Sequence, residues 1–148
     1  MNIVLVKSVE KKFDKFEKNT KSSVLKILKI LKKNNKIIEI YLIGNIEMRR
    51  LNREFRGKDK TTNILSFDEP IEFFSVKFNK NKLGEIYLNI LQTTDYKLQT
   101  TSIKKNLFSI DELLIHGILH LLGYNHLKKM DSEKMEKMER RLIGELVN

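Results

Sequence analysis

The chain contains no cysteine, a single proline and no apolar run long enough to cross a membrane. Without cysteine it can form no disulfide, either internally or with a partner, and no thiolate metal site. Any metal ion must therefore bind through nitrogen or oxygen. The amino terminus also lacks the apolar core and the small-residue cleavage site of a secretory signal. We expect a cytoplasmic protein with no membrane partner.

The chain has the length and composition of one ordinary globular domain. It has 148 residues, of which 41% are apolar, and neither a repeat nor a linker interrupts it. We predict one domain over residues 1–148. Lysine and arginine number 29 against 19 acidic residues, which gives a net charge of +10. This excess suits either a soluble surface or an anionic partner such as RNA, DNA or a membrane, and charge alone leaves both open.

Hydrophobic patterns predict an α+β fold. Apolar and β-branched runs place four strands at residues 2–6, 36–43, 62–67 and 83–90. Apolar residues at helical spacing place helices at 22–35, 45–55 and 131–147. Asn45 is predicted to cap the second helix, and Asp131 or Ser132 the third. A weaker helical pattern lies near 91–100, and residues 68–82 fit either a hairpin arm or a long loop.

The segment SIDELLIHGILHLL, residues 109–122, is apolar on all sides and is predicted to be a central buried helix. Asp111 and Glu112 lie in its first turn, where the helix dipole favours negative charge. Gly123 follows as the left-handed residue that ends the helix. We expect a mixed sheet of about four strands to pack against this helix.

All the histidines of the chain lie in the segment HGILHLLGYNH, residues 116–126. His116 and His120 are four residues apart on the predicted helix, so they share one face at a separation of about 6 Å. Gly123 lets the chain turn back and bring His126 to the same point. Three neutral imidazoles with an open fourth position are typical of a catalytic zinc site, which we favour over three separately packed histidines.

The spacing H-x-x-x-H-x-x-G-x-x-H is also that of the metzincin peptidases, so we predict a metzincin-like zinc site. In those enzymes a glutamate follows the first histidine and acts as general base, whereas this chain has Gly117. Glycine cannot accept a proton, which argues against a peptidase. Three neutral ligands also leave the charge of a zinc ion uncompensated, and such a site favours an anionic phosphodiester.

The histidine segment closely resembles the H-G-x-L-H-L-x-G-Y-D-H signature of the YbeY family, zinc-dependent endoribonucleases that mature ribosomal RNA. Two further blocks resemble that family in matching order: LNREFRGKDKTTNILSFDEP at 51–70 and LGEIYLN at 83–89. The resemblance runs from about residue 36 to the end. It implies that one zinc ion is held by His116, His120 and His126.

The resemblance also implies that Arg56 is the important basic residue near the site. Charge patterning alone favours a simpler interpretation, in which Arg56 is one more arginine on a solvated helix face. Three positions depart from the family pattern, because Asn125 and Asn63 replace aspartate and Thr61 replaces proline. Asparagine cannot act as a base at neutral pH, so Asn125 argues against a mechanism that needs a carboxylate there.

The function implied by the resemblance is single-strand-specific endoribonuclease activity in processing the 3′ end of 16S ribosomal RNA. The implied partners are precursor RNA, the small ribosomal subunit and its assembly factors. Two alternatives from other classes remain: a zinc metallopeptidase, and a non-catalytic ribosome-binding factor with structural zinc. Glu112 either orients a histidine or only supplies helix-terminal charge. Tyr124 either stacks on a base or packs beside the turn.

Overall fold

The computed structural model describes residues 1–69, 81–97 and 107–147. Its strands are β1 (Ile3–Ser8), β2 (Ile37–Ile43), β3 (Ile64–Phe67) and β4 (Lys82–Asn89). Its α-helices are α1 (Glu17–Ile30), α2 (Asn45–Arg56), α3 (Thr94–Lys97), α4 (Ile110–Leu121) and α5 (Lys129–Val147). Short 3-10 helices lie at Lys11–Phe16 and Ile90–Gln92. The predicted α+β domain, with a mixed sheet packed on a histidine-bearing helix, is confirmed.

The four strands form one sheet in the order β1-β2-β4-β3. The first three strands in that order are parallel, and β3 runs antiparallel to β4 at the edge. Helices cover both faces of the central strands, which explains why β2 is a nearly continuous apolar run rather than an alternating one. The arrangement leaves β3 as an edge strand beside the histidine helix.

Each face of the sheet has its own apolar core. The larger core joins β1, β2 and β4 to α1, α4 and α5, and its fully buried members include Ile40, Ile86 and Leu114. The smaller core lies beneath α2 and consists of Tyr41, Ile43, Met48, Leu51, Leu65, Phe67 and Tyr87. Strand residues alternate between the two cores, as the pleat of a sheet requires.

The bounds predicted for the first helix were wrong. Helix α1 begins at Glu17 rather than at residue 22, and in its first turns Thr20 is buried while Lys18, Asn19 and Lys21 are exposed. It ends at Ile30 rather than at residue 35. Lys32 and Asn35 both have a φ of 57°, a left-handed backbone that an α-helix cannot continue through.

Both side-chain caps predicted from the sequence were also wrong. The cap of α2 is Gly44, and Asn45 is already helical. The Asn45 side chain instead accepts a hydrogen bond of 2.7 Å from Asn89. Helix α5 begins at Lys129, ahead of both Asp131 and Ser132.

Two of the stretches considered in the sequence lie partly outside the described residues. In the weak helical region, α3 covers Thr94–Lys97 and residues 98–100 lie outside the described part of the chain. Of residues 68–82, positions 70–80 likewise lie outside it. Among the residues described, no helix combines the length and apolar character that a membrane span requires.

Candidate metal centre

Helix α4 begins with a reciprocal cap between Ser109 and Glu112. The Glu112 N–H donates to Ser109 Oγ at 3.0 Å, and the Ser109 N–H donates to Glu112 Oε1 at 3.2 Å. This capping box satisfies two N–H groups that the first turn would otherwise leave unpaired. Glu112 therefore serves the helix terminus, which supports the simpler of its two predicted roles.

The end of α4 turns the chain back toward its own histidines. Gly123 has a φ of 100°, which confirms the predicted left-handed stop. The Gly123 N–H donates to the His120 carbonyl and the Tyr124 N–H to the Leu119 carbonyl, each at 3.0 Å. This Schellman arrangement ends the helix tightly, and His126 follows three residues beyond Gly123. The Tyr124 ring is partly buried against the larger core, as the packing interpretation predicted.

Gly117 lies on the side of α4 that packs against the sheet. A Cβ atom there would lie 2.9 Å from Ile64 Cδ1 and 3.0 Å from both Ile86 Cδ1 and Ser66 Oγ. A side chain there would force the ends of these three neighbouring side chains to shift. The position that carries the general base in metzincins is therefore packed against the sheet in this chain.

The structure brings the three predicted ligands together. Nε2 of His116 and Nε2 of His120 lie 3.0 Å apart. One nitrogen from each of the three histidines, His126 included, lies within 4.8 Å of the others. The rings of His116 and His120 are partly buried, and that of His126 is exposed. Among the described residues these three form a group that can hold a metal ion.

The outer nitrogen of each ring has its own partner. Nδ1 of His120 donates to the Tyr124 carbonyl at 3.0 Å, and Nδ1 of His126 lies 3.2 Å from Ser132 Oγ. Nδ1 of His116 lies 3.5 Å from Glu139 Oε2, within ion-pair distance. Carbonyl and carboxylate oxygens only accept, so they favour a proton on Nδ1 and leave the Nε2 lone pair free.

This tautomer makes a cation the natural occupant of the centre. If Nδ1 carries the proton in both His116 and His120, two Nε2 lone pairs face each other at 3.0 Å. Such lone pairs repel unless a positive ion lies between them. Two zinc–nitrogen bonds of about 2.0–2.1 Å at a tetrahedral angle separate their nitrogens by about 3.3 Å. The geometry and the donor set therefore fit a divalent metal ion such as zinc.

The environment also favours neutral imidazole. Burial lowers the pKa of His120, and the neighbouring His116 lowers it further because two imidazolium charges would repel. The hydrogen bond to the Tyr124 carbonyl acts in the opposite direction and only partly offsets these effects. A lowered pKa keeps the ring deprotonated at neutral pH, as metal binding requires.

A cavity of about 300 Å³ opens onto His116 and His126. Asn63, Phe108, Glu136 and Glu139 also line it. The cavity gives solvent and ligands a route to the histidine cluster from the side of α5. A catalytic metal needs such access, whereas structural zinc sites are usually closed by four protein ligands.

Arg56 lies across β3 from the histidine helix, as the last residue of α2. Its Nη2 donates to the Ser66 carbonyl at 3.0 Å, and its guanidinium carbon lies 4.5 Å from the centre of the Phe67 ring. Ser66 in turn packs against Gly117, next to His116. Nη1 of Arg56 also donates to the Phe55 carbonyl at 3.5 Å, so the exposed side chain is held at the sheet edge by two backbone oxygens and one aromatic face.

Sequence reasoning missed the groups that support the ligands: Glu139, the Ser132 hydroxyl and the Tyr124 carbonyl. The signal for Glu139 and Ser132 was their helical register. Both lie on the face of α5 that carries the buried residues Met135 and Leu142. A backbone carbonyl such as that of Tyr124 leaves no trace in a sequence.

Comparison with known proteins places these features in one family. A family model described as "Endoribonuclease YbeY" matches residues 6–147, a longer stretch than the resemblance from residue 36 predicted. The "Endoribonuclease YbeY" of Buchnera aphidicola subsp. Schizaphis graminum is 37% identical over 115 residues, 75% of this chain and 67% of that protein. The protein of the same name from Francisella philomiragia is 35% identical over 111 residues, 74% of this chain and 68% of that protein.

A solved structure agrees with the sequence relatives. The solution structure of TM1509 from Thermotoga maritima is similar with a TM-score of 0.52 and 27% sequence identity. The match covers 97% of this chain and 91% of that one. The fold described above is thus also found in a structure determined by experiment.

Proposed function

The chain belongs to the YbeY endoribonuclease family, and on that premise we propose that it is a metal-dependent hydrolase that cleaves single-stranded RNA. Its substrate in the cell is the ribosomal RNA precursor, at the 3′ end of 16S RNA. It acts in the cytoplasm as one domain over residues 1–148, with the small ribosomal subunit and its assembly factors. The observation that supports this most is the convergence of three imidazoles whose outer nitrogens are held by other groups.

The ion that we propose is a single zinc, held by His116, His120 and His126. Three neutral nitrogen donors and a cavity that leads to them suit a catalytic zinc. When bound, the ion supplies positive charge and lowers the pKa of a water molecule enough for attack at neutral pH. The ligands themselves bring no negative charge, so the site favours an anionic phosphodiester over a neutral peptide.

Arg56 is the residue that we propose to stabilise charge on the phosphate during cleavage. The Phe67 ring and the Ser66 carbonyl orient its guanidinium, which has further N–H donors for a phosphate oxygen. Arginine suits this role because its planar group binds phosphate in two-pronged fashion and stays charged at all working pH values. The chain's net charge of +10 attracts the RNA backbone over a longer range.

The two alternative functions make different demands. A peptidase needs a base after the first histidine, and this chain has Gly117 there, packed against Ile64 and Ile86. A non-catalytic ribosome-binding factor needs only folding and binding, so it would never cleave RNA. The open cavity at the histidines favours the enzyme over this factor.

The test is metal analysis together with RNA cleavage for the wild type and three variants in parallel. We expect the wild type to hold one zinc and cleave single-stranded RNA, and His120→Ala to lose both properties. Arg56→Ala should keep zinc and lose cleavage. The matched control is Arg53→Ala, since Arg53 is an exposed arginine on the same helix whose Nη1 lies 3.6 Å from Asp59 Oδ1.

Each part of the proposal has its own contrary result. Wild-type protein that binds zinc and never cleaves RNA would refute the endoribonuclease activity in favour of the binding factor. Chelator-sensitive proteolysis would instead support the peptidase. If Arg56→Ala cleaves RNA as fast as Arg53→Ala, the role of Arg56 is wrong while the metal site stands.

A further inference from the structure

Helix α5 supplies none of the three histidines, yet it contacts two of them from outside. Glu139 Oε2 lies 3.5 Å from Nδ1 of His116, and Ser132 Oγ lies 3.2 Å from Nδ1 of His126. In both cases the contacted nitrogen is the outer one. These contacts link the last helix of the chain to ligands that α4 and the following loop provide.

The position of both side chains is fixed by the core. Ser132 and Glu139 are seven residues apart, two turns of helix, so they lie on one face. Met135 and Leu142 share that face and are fully buried in the larger core. Because these residues anchor α5, its two polar groups are held beside the histidines rather than free to turn toward solvent.

A partner at Nδ1 matters for metal binding in three ways. It keeps the proton on Nδ1, so that Nε2 is free to bind, and it fixes the rotation of the ring. A carboxylate also increases the electron density of the imidazole and so strengthens the bond to the metal. The Glu139 side chain is 24% exposed, so water screens its charge only in part.

We propose that Glu139 and Ser132 are positioning residues that set the metal affinity of the site through His116 and His126. The inference rests on the proposed binding of zinc by the three histidines. Glu139 has the larger effect because it is charged and its histidine is partly buried. Ser132 has the smaller effect because its hydroxyl is neutral and His126 is exposed.

A different role for Glu139, as general base for the reaction, predicts a different pattern. A base must face the open position of the metal, whereas Glu139 is next to Nδ1 of His116, on the outer side of that ring. Removing a base lowers kcat and leaves zinc affinity unchanged. Removing a positioning residue weakens zinc binding even when no RNA is present.

The experiment measures the zinc dissociation constant by competition with a chelator, starting from metal-free protein. We expect Glu139→Ala to weaken binding by about 10–100-fold, the usual cost of losing a group that supports a ligand. Glu139→Gln retains an oxygen that can accept from Nδ1, so it should recover part of the loss. Ser132→Ala should lose less than Glu139→Ala.

The matched control is Glu136→Ala. Glu136 lines the same cavity, one turn away on the same helix, and is exposed. Its removal takes away the same charge, so a loss of affinity equal to that of Glu139→Ala would reduce the effect to general electrostatics and overturn the proposal. Unfolding of the metal-free variants shows whether each still folds, and Glu139→Gln preserves the test if Glu139→Ala does not.

The remaining outcomes separate this inference from the proposed function. Wild-type affinity in Glu139→Ala would overturn the positioning role, and would do so most clearly if kcat fell at the same time. Wild-type protein that binds zinc without cutting RNA would refute the ribonuclease alone. Wild-type protein that binds no zinc would refute both.

Discussion

The face of the sheet toward α1, α4 and α5 is covered by aliphatic side chains, whereas the face beneath α2 buries two glutamates and a lysine. Lys82 Nζ donates to Glu39 Oε2 at 3.0 Å and to Glu85 Oε2 at 3.1 Å. Tyr87 donates to Glu85 at 2.9 Å, and Tyr41 donates to Glu39 at 3.1 Å. The side chains of these three charged residues are at most 4% exposed.

The difference shows how the two candidate site elements are held. On the aliphatic face, close packing fixes the rotation of α4, and polar contacts to the outer nitrogens then hold the histidine rings. On the other face, a charged network secures the central strands, while the exposed Arg56 lies at the rim over the buried Phe67 ring. The three histidines are thus brought together by the fold, whereas Arg56 is held by a few contacts at the sheet edge.

The largest expected loss of stability comes from a substitution that disrupts packing on the aliphatic face. Gly117→Glu places a carboxylate where even a Cβ would approach Ile64 Cδ1 to 2.9 Å and Ile86 Cδ1 to 3.0 Å. Overpacking and a buried unpaired charge together should cost at least about 4 kcal/mol of the free energy of unfolding, measured in urea. The substitution would also leave the protein without peptidase activity.

The control for this substitution is Gly144→Glu on α5, because an added Cβ there has no neighbour within 4 Å. We expect that variant to unfold within about 0.5 kcal/mol of the wild type. If Gly117→Glu is equally stable, the tight packing of α4 on the sheet is wrong. Packing against the sheet would then not disfavour a carboxylate at the metzincin base position.

The next largest loss of stability is expected from a substitution in the charged network beneath α2. Lys82→Met removes a cation from between Glu39 and Glu85, and a buried pair broken on one side typically costs about 3–5 kcal/mol. Urea unfolding measures the loss, and the exposed swap Lys26→Met should change stability by less than about 0.5 kcal/mol. Equal stability of the two variants would show that the network contributes nothing. Zinc affinity should stay at the wild-type value, because the network lies on the opposite face from the histidines.

The two faces also differ in how far a sequence can predict them. Helix α4 was predictable because its apolar character, its first-turn acids and Gly123 are all local signals. Once the helix is predicted, the spacing of its two histidines places them on one face. The charged network was not predictable, because Glu39 lies within an apolar run and its partner Lys82 is 43 positions away. Arg56 is an intermediate case, since its proposed role came from the resemblance, and charge patterning alone did not distinguish it from the other arginines of α2. The start of α1 was missed because its first turns are polar and mostly exposed, and Thr20, the residue buried there, adds no apolar signal.

The smallest expected effect is a pH dependence of the free energy of unfolding. It tests the face that packs against α4, because all three histidines lie on that side. Burial and the neighbouring His116 lower the pKa of His120 in the folded chain. Below its ordinary pKa of about 6.5 the unfolded chain therefore binds more protons at this residue than the folded chain does. Metal-free protein should lose stability as the pH falls through about 6.5, and above that value this residue should have no effect. Urea unfolding in the presence of a chelator measures the dependence, and His120→Gln should flatten it because glutamine does not titrate. If the free energy of unfolding changes equally with pH in the wild type and in His120→Gln, the fold does not favour neutral His120. The environment would then not prepare that ring to bind a metal.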